Sequence, residues 1–215
     1  MNEGLILTPP PQPSARGGGR GEVGSPENGT QIRIGPTLVG LGILCGGIPL
    51  LRDLVVRPKP GSVAVVAAIG YGALLGACYI SMRATRMPWA EIGIRALSPR
   101  SIVLGIITGL LVIAPVWRLP VISVSRGAWL LVAVAVEEVV FRGVLFAILR
   151  KAGGIPLAIG GSALAFTVAH AASAGGPSLI LVALAGLFLG LLRAIRSDLW
   201  TPGFAHLVMD LVSLP

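Results

Sequence analysis

Apolar and polar positions along this chain fall in long blocks rather than in short periods. Apolar blocks run over about 36–51, 62–82, 101–117, 128–149, 155–173, 177–192 and 199–214, separated by short polar, basic or Pro-containing stretches. A block that is apolar all round predicts a helix buried in lipid or among other helices. A membrane crossing needs about 20 apolar residues, with a range of roughly 17–25. The first, sixth and seventh blocks are short by that standard and are expected to tilt or to extend into the interface. The pattern predicts an all-α, polytopic transmembrane helical bundle of about seven spans over residues 33–215. Residues 1–32 break it: PPPQPS and RGGGRGEVGSPENGT carry almost no apolar side chains. Such a segment cannot bury enough surface to fold alone, so a disordered N-terminal tail is expected there. No apolar core follows a basic start, so the tail does not read as a signal peptide.

Composition sharpens the class. The 215 residues are 54% hydrophobic and 12% charged, with a mean hydropathy of +0.86. Soluble domains carry about 25% charged residues. The net charge of +8 would suit nucleic acid, but the basic residues flank apolar blocks and form no stripe, so no nucleic-acid partner is expected. They read as topology signals and contacts to anionic lipid. If the spans alternate, one side carries Arg16, Arg20, Arg33, Arg83, Arg86, Arg95, Arg100, Arg150, Lys151, Arg193 and Arg196. The other carries Arg52, Arg57, Lys59, Arg118 and Arg126. That excess puts the N-terminus in the cytoplasm. Trp89, Trp117, Trp129 and Trp200 lie near block ends, as interface anchors do. The high Ala, Gly and Arg content points to a GC-rich bacterial genome, and an integral protein of a bacterial inner (cytoplasmic) membrane is expected. Glycine is frequent (30 residues), which suits close helix packing in lipid. No internal repeat of the transporter kind is visible. Cys45 and Cys78 fall at different depths, so no disulfide is expected.

Between the second and third blocks, RMPWAEIGIRALSPR fits a short interfacial helix. Pro88 suits its first turn. Trp89, Ile92, Ile94 and Leu97 would face lipid, and Glu91 and Arg95, four apart, would pair. An ordinary polar connector fits equally well.

Ionisable chemistry is concentrated where it is hardest to keep. Glu137 and Glu138 lie in the middle of WLLVAVAVEEVVFRGVLFAIL, with Arg142 one turn on. A charge at bilayer depth costs roughly 2.5–3.5 kcal/mol even on the lenient insertion scale, and its default reading is a functional site. On a helix Glu138 and Arg142 share a face, with Glu before Arg in the better orientation. Glu137 points about 100° away, towards another element. His170 follows Phe166 by one turn in AFTVAHAA, so the rings should stack. His206 precedes Asp210 by one turn in HLVMD, where the carboxylate can orient the imidazole. Three helices could bring Glu137, His170, His206 and Asp210 to one polar pocket. Glu and His together can activate water as general bases. Glu137, His170 and His206 could also hold a divalent metal such as zinc, although HExxH is absent.

EEVVFR, FTVAH and HLVMD, in that order in three apolar blocks, resemble the EExxxR, FxxxH and HxxxN/D motifs of the CPBP family. These are the CAAX-protease and bacteriocin-processing (Abi) intramembrane proteases, related to the Ras-converting CAAX endopeptidase. Each motif alone is weak; the ordered set is specific. The resemblance implies a helical bundle that hydrolyses a peptide bond of a membrane-anchored protein or peptide. It implies that Glu137 activates water with help from His170, that Glu138 and Arg142 are the partner pair of the first motif, and that His206 and Asp210 stabilise the oxyanion. It leaves the metal open. For a bacterial relative, a bacteriocin-type or C-terminal sorting-signal substrate follows. One departure is Asp210, where Asn is common. An ionised carboxylate would repel an oxyanion, so Asp210 is expected either to be protonated or to orient His206 without touching the intermediate. Two other classes compete on the residues alone: a proton-coupled carrier with a Glu–His–Arg relay, and a non-catalytic membrane scaffold or immunity protein.

Overall fold

The computed structural model describes residues 62–114, 124–171 and 176–213. The expected tail at 1–32, the first block at 36–51, Cys45 and Trp117 lie outside the described residues.

All regular structure among the described residues is helical. In chain order the elements are α1 (Ser62–Ala84), α2 (Pro99–Ile113), α3 (Val124–Glu137), a π-helical segment (Glu138–Leu145), α4 (Phe146–His170), α5 (Gly176–Arg196) and α6 (Trp200–Ser213). Their boundaries follow the apolar blocks within a few residues, because chain leaving the hydrocarbon no longer needs all its backbone groups bonded internally. Ser178–Arg196, within α5, is the helix among the described residues that is long and apolar enough to cross a membrane. The shorter α2, of 15 residues, is about 22 Å long against roughly 30 Å of hydrocarbon.

The helices are joined by close backbone approach. α2 packs along α6 more extensively than any other pair, followed by α4 on α5. Gly105 and Gly109, four apart on α2, make the first contact. A Cβ on Gly105 would stand 2.6 Å from the Thr201 carbonyl, and one on Gly109 2.8 Å from that of Ala205. Gly186 and Gly190 do the same for α5 against Ala163 and Ile159 of α4. Small residues at a spacing of four replace the hydrophobic drive that lipid cannot supply. One carboxylate ties the N-termini of α2 and α6. Asp198 accepts from the Thr201 backbone N–H at 2.7 Å and from the Ser101 hydroxyl at 3.3 Å. Both helices thus present their positive ends to one negative group. Ser98 caps α2 by accepting from the Ser101 N–H, with Pro99 at the first helical position.

Polarity is distributed inside out. Glu138, Arg142, Arg193 and His206 are buried, while Ile69, Leu111, Leu164, Leu181 and Ile195 stand more than half exposed on the outer faces. Exposed apolar surface on that scale marks contact with something other than water, and it is the organisation of a helical membrane protein. The main apolar core gathers around the π-helical segment. Leu74, Cys78 and Met82 of α1 pack there with Val140, Phe141, Val144 and Phe166.

Of the two readings of the segment between α1 and α2, the connector is the one observed: it forms successive turns rather than an interfacial helix. Ile92 is fully buried in the core instead of facing lipid, although Trp89 and Leu97 are exposed. Glu91 pairs with Lys151 at 2.7 Å and not with Arg95, because turns do not stack positions four apart. The fourth block is also not one continuous α-helix. After α3 it widens into the π-helical segment, where the Phe146 N–H reaches the Phe141 carbonyl five residues back. The helix axis breaks further on, at Gly153 and Gly154, the latter at φ 77 and ψ −170.

Candidate active site

The two adjacent carboxylates part at the junction of two helix types. Glu137 is the last residue of α3 and Glu138 the first of the π-helical segment. Glu138 turns into the interior. Its Oε1 lies 3.1 Å from Arg142 Nη1 and accepts from His206 Nδ1 at 2.9 Å. Arg142 is fully buried, and its guanidinium lies 4.2 Å over the Phe166 ring. A buried cation over an aromatic face gains from the ring quadrupole where water is absent.

Glu137 faces the two histidines. Its Oε2 is 3.9 Å from His170 Nε2 and 3.8 Å from His206 Nε2. Both separations exceed a direct hydrogen bond, which spans about 2.7–3.2 Å. A water lying off the line could therefore bond to Oε2 and to an Nε2 at once. Asp210 Oδ2 lies 3.6 Å from the same His206 Nε2.

The second partner of each ring sets what its Nε2 can do. His170 Nδ1 lies 2.8 Å from the Phe166 carbonyl. A carbonyl only accepts, so Nδ1 carries a hydrogen, and in the neutral ring Nε2 offers a lone pair. His206 Nδ1 donates to Glu138, so its Nε2 offers a lone pair when neutral and an N–H when the ring is doubly protonated. Glu138, from another element, bonds the His206 ring at Nδ1, and Asp210 stands beside the opposite nitrogen, Nε2. The i to i+4 spacing brought Asp210 near the ring, but Nδ1 was already taken.

Phe166 stacks on His170 at 4.3 Å between centroids and meets the edge or face of Phe141 and His206 at 5.4 and 5.5 Å. One aromatic ring thus fixes both imidazoles and the guanidinium. The structure brings all six sequence-predicted residues, Glu137, Glu138, Arg142, His170, His206 and Asp210, into one cluster. Three carboxylates meet one guanidinium and two imidazoles, a set of side chains able to hold and pass protons.

The donor set does not fit a metal ion. Ligands around a tetrahedral zinc at about 2.0–2.1 Å stand roughly 3.3 Å apart, and the Glu137–histidine separations are wider. Among the described residues no group of three His, Cys, Asp or Glu side chains could hold a metal.

Sequence reasoning passed over Arg193, which it counted only as a topology charge. Arg193 is buried, and its Nε donates to the Arg142 carbonyl at 2.9 Å. The available signal was Ala194 and Ile195, which continue the apolar run of the sixth block past Arg193.

Residues 110–212 match the family model of the type II CAAX prenyl endopeptidase Rce1-like proteins. This is the family that the three motifs resemble, it is one of integral membrane proteases, and the matched stretch contains all six clustered residues. No curated protein and no solved structure matches the chain.

Proposed function

We propose that this chain, whose residues 110–212 match an Rce1-like CAAX endopeptidase family, is an intramembrane endopeptidase that uses glutamate-activated water. Its substrate is a peptide bond of a membrane-associated protein or peptide, of the bacteriocin or C-terminal sorting-signal kind. The observation that carries the reading is a single Glu137 oxygen facing the Nε2 atoms of His170 and His206 at 3.9 and 3.8 Å.

Glu137, assisted by the His170 Nε2 lone pair, takes a proton from water as its oxygen attacks the carbonyl carbon. The C–O bond forms and the carbonyl π electrons move onto oxygen. His206 in its imidazolium form donates Nε2–H to that oxyanion, while Glu138 keeps the ring in place through Nδ1. Asp210, beside Nε2, balances the imidazolium charge. Collapse restores the carbonyl and breaks the C–N bond, and the proton held at Glu137 passes to the leaving amine. Arg142 pairs with Glu138 in the interior and does not touch the substrate.

Purified protein acting on a membrane-anchored peptide tests this reading. Glu137→Gln keeps the size of the side chain and removes the base. Cleavage is expected to fall by about 10²–10⁴-fold, the usual worth of a general base, with an unchanged unfolding temperature. Equal cleavage by a well-folded Glu137→Gln protein would overturn the proposal.

A further inference from the structure

On the same run of helix, one to three turns past Arg142 and away from the carboxylate–histidine cluster, lies a cavity of about 410 Å³. Its lining includes Glu91, Arg95, Phe146, Arg150, Lys151 and Arg193. The single carboxylate is engaged, since Lys151 Nζ lies 2.7 and 2.9 Å from the two Glu91 oxygens. Arg193 donates to two carbonyls, that of Arg142 from Nε and that of Glu91 from Nη2, both at 2.9 Å. Carbonyls orient a guanidinium but cancel none of its charge. Arg95 and Arg150 are exposed at the rim, and among the described residues neither forms an ion pair. The cavity therefore carries a formal excess of three positive charges.

The frame around it is fixed. Gly93, at φ +92, lets the loop close on Arg193, where a Cβ would stand 2.9 Å from the guanidinium. The Leu199 N–H donates to the Gly93 carbonyl at 3.0 Å, and Trp200 Nε1 to the Arg95 carbonyl at 2.8 Å. Its depth follows from taking Ser178–Arg196 as a membrane span. Arg193 belongs to the last turn of the membrane-length helix Ser178–Arg196, and Arg150 and Lys151 stand just before the Gly153–Gly154 break. The opening is thus at the level where chain leaves the hydrocarbon and lipid headgroups begin.

We propose that this cavity binds a phosphate group, presented by the headgroup of an anionic lipid. Guanidinium forks match phosphate oxygens in charge and geometry. Basic pockets between helices at the cytoplasmic face are suited to such headgroups. A carboxylate of a passing peptide would engage one arginine, whereas a tetrahedral phosphate can meet Arg95 and Arg150 together with Lys151 behind them. Because Arg193 joins the cavity wall to the Arg142 carbonyl, a bound headgroup would brace the helix that carries the first motif.

The test is binding to the full-length purified protein, independent of proteolysis. The probes are short-chain phosphatidylglycerol, phosphatidylcholine of the same chain length, and inorganic phosphate alone. The wild type is expected to retain phosphatidylglycerol in preference to phosphatidylcholine. Combining Arg95→Gln with Arg150→Gln should weaken that binding by roughly tenfold or more, since each basic residue near an anionic surface is worth about a factor of five. Arg83→Gln with Arg100→Gln, exposed positions outside the cavity lining, should leave it nearly unchanged. If inorganic phosphate alone binds with the same dependence on Arg95 and Arg150, the phosphate site stands and its source is soluble. Equal phosphatidylglycerol binding by the rim variant, or an equal loss in the control variant, would sink the proposal. Should the double rim variant fail to fold, Arg150→Gln alone is read by the same criteria.

Discussion

At the residue scale the least replaceable contact is the one between Glu138 and its two partners. Its Oε1 serves Arg142 and His206 together, and all three side chains are buried. Glu138→Gln would leave the guanidinium uncompensated in a dry interior, where breaking a buried pair costs about 3–5 kcal/mol. The same change leaves a carbonyl oxygen to accept from His206 Nδ1 but removes the charge that strengthens that bond. Asp210 is different: it is partly exposed and faces Nε2 from 3.6 Å. Asp210→Asn is therefore expected to unfold like the wild type and to keep cleavage within about tenfold, the size of one screened charge interaction. Glu138→Gln should lose both stability and cleavage. Thermal unfolding in detergent and peptide cleavage, measured side by side on the two variants, check the ordering. A dead but well-folded Asp210→Asn protein would show that the carboxylate itself takes part.

At the element scale two devices position these residues. One is the change from α to π geometry between Glu137 and Glu138, which sends adjacent carboxylates to opposite nitrogens of the same imidazole. The other is the glycine seam of α2 against α6, the helix that carries His206. Here the Cβ test is severe, with backbone atoms of α6 at 2.6–2.8 Å from the position of an added side chain. Gly109→Leu should force the pair apart at a cost of roughly 1–3 kcal/mol, the usual range for overpacking. His206 would move with α6, so cleavage should drop further than the stability loss alone accounts for. Unfolding by detergent titration, with cleavage assayed at a temperature where the variant remains folded, separates the two effects. By contrast Gly72 and Gly76 of α1 have open space where a Cβ would go. The glycines that matter are those between helices.

At the scale of the molecule, a buried polar cluster sits beside an apolar core, and large apolar side chains also cover the outer faces. The central cluster joins three carboxylates, two imidazoles and a guanidinium. In the proposed reaction these side chains supply base, acid and charge balance, with Glu137–histidine separations wider than in a tetrahedral zinc site. Cleavage is accordingly expected to survive exhaustive chelation of the purified protein. Loss of cleavage on chelation, restored by one divalent metal and no other, would show that the cluster rearranges around an ion.

Much of this was legible beforehand because lipid restricts the choices. Blocks of apolar residues had to be helices, since no other unpaired backbone survives in hydrocarbon. The few ionisable groups inside them were expected to gather, since their burial is costly. Helical periodicity also paired Glu138 with Arg142 and stacked Phe166 on His170. What the chain order could not convey was anything decided across helices. His206 Nδ1 meets Glu138, 68 positions earlier, besides having Asp210 one turn away at Nε2. Glu91 pairs with Lys151, 60 positions later, because the segment before α2 turns instead of coiling. Arg193 is tied to the Arg142 carbonyl, 51 positions back. Local spacing states which groups share a face of one helix. Which nitrogen meets which oxygen depends on how closely the helices approach, and that distance is set by glycines whose partners lie far along the chain.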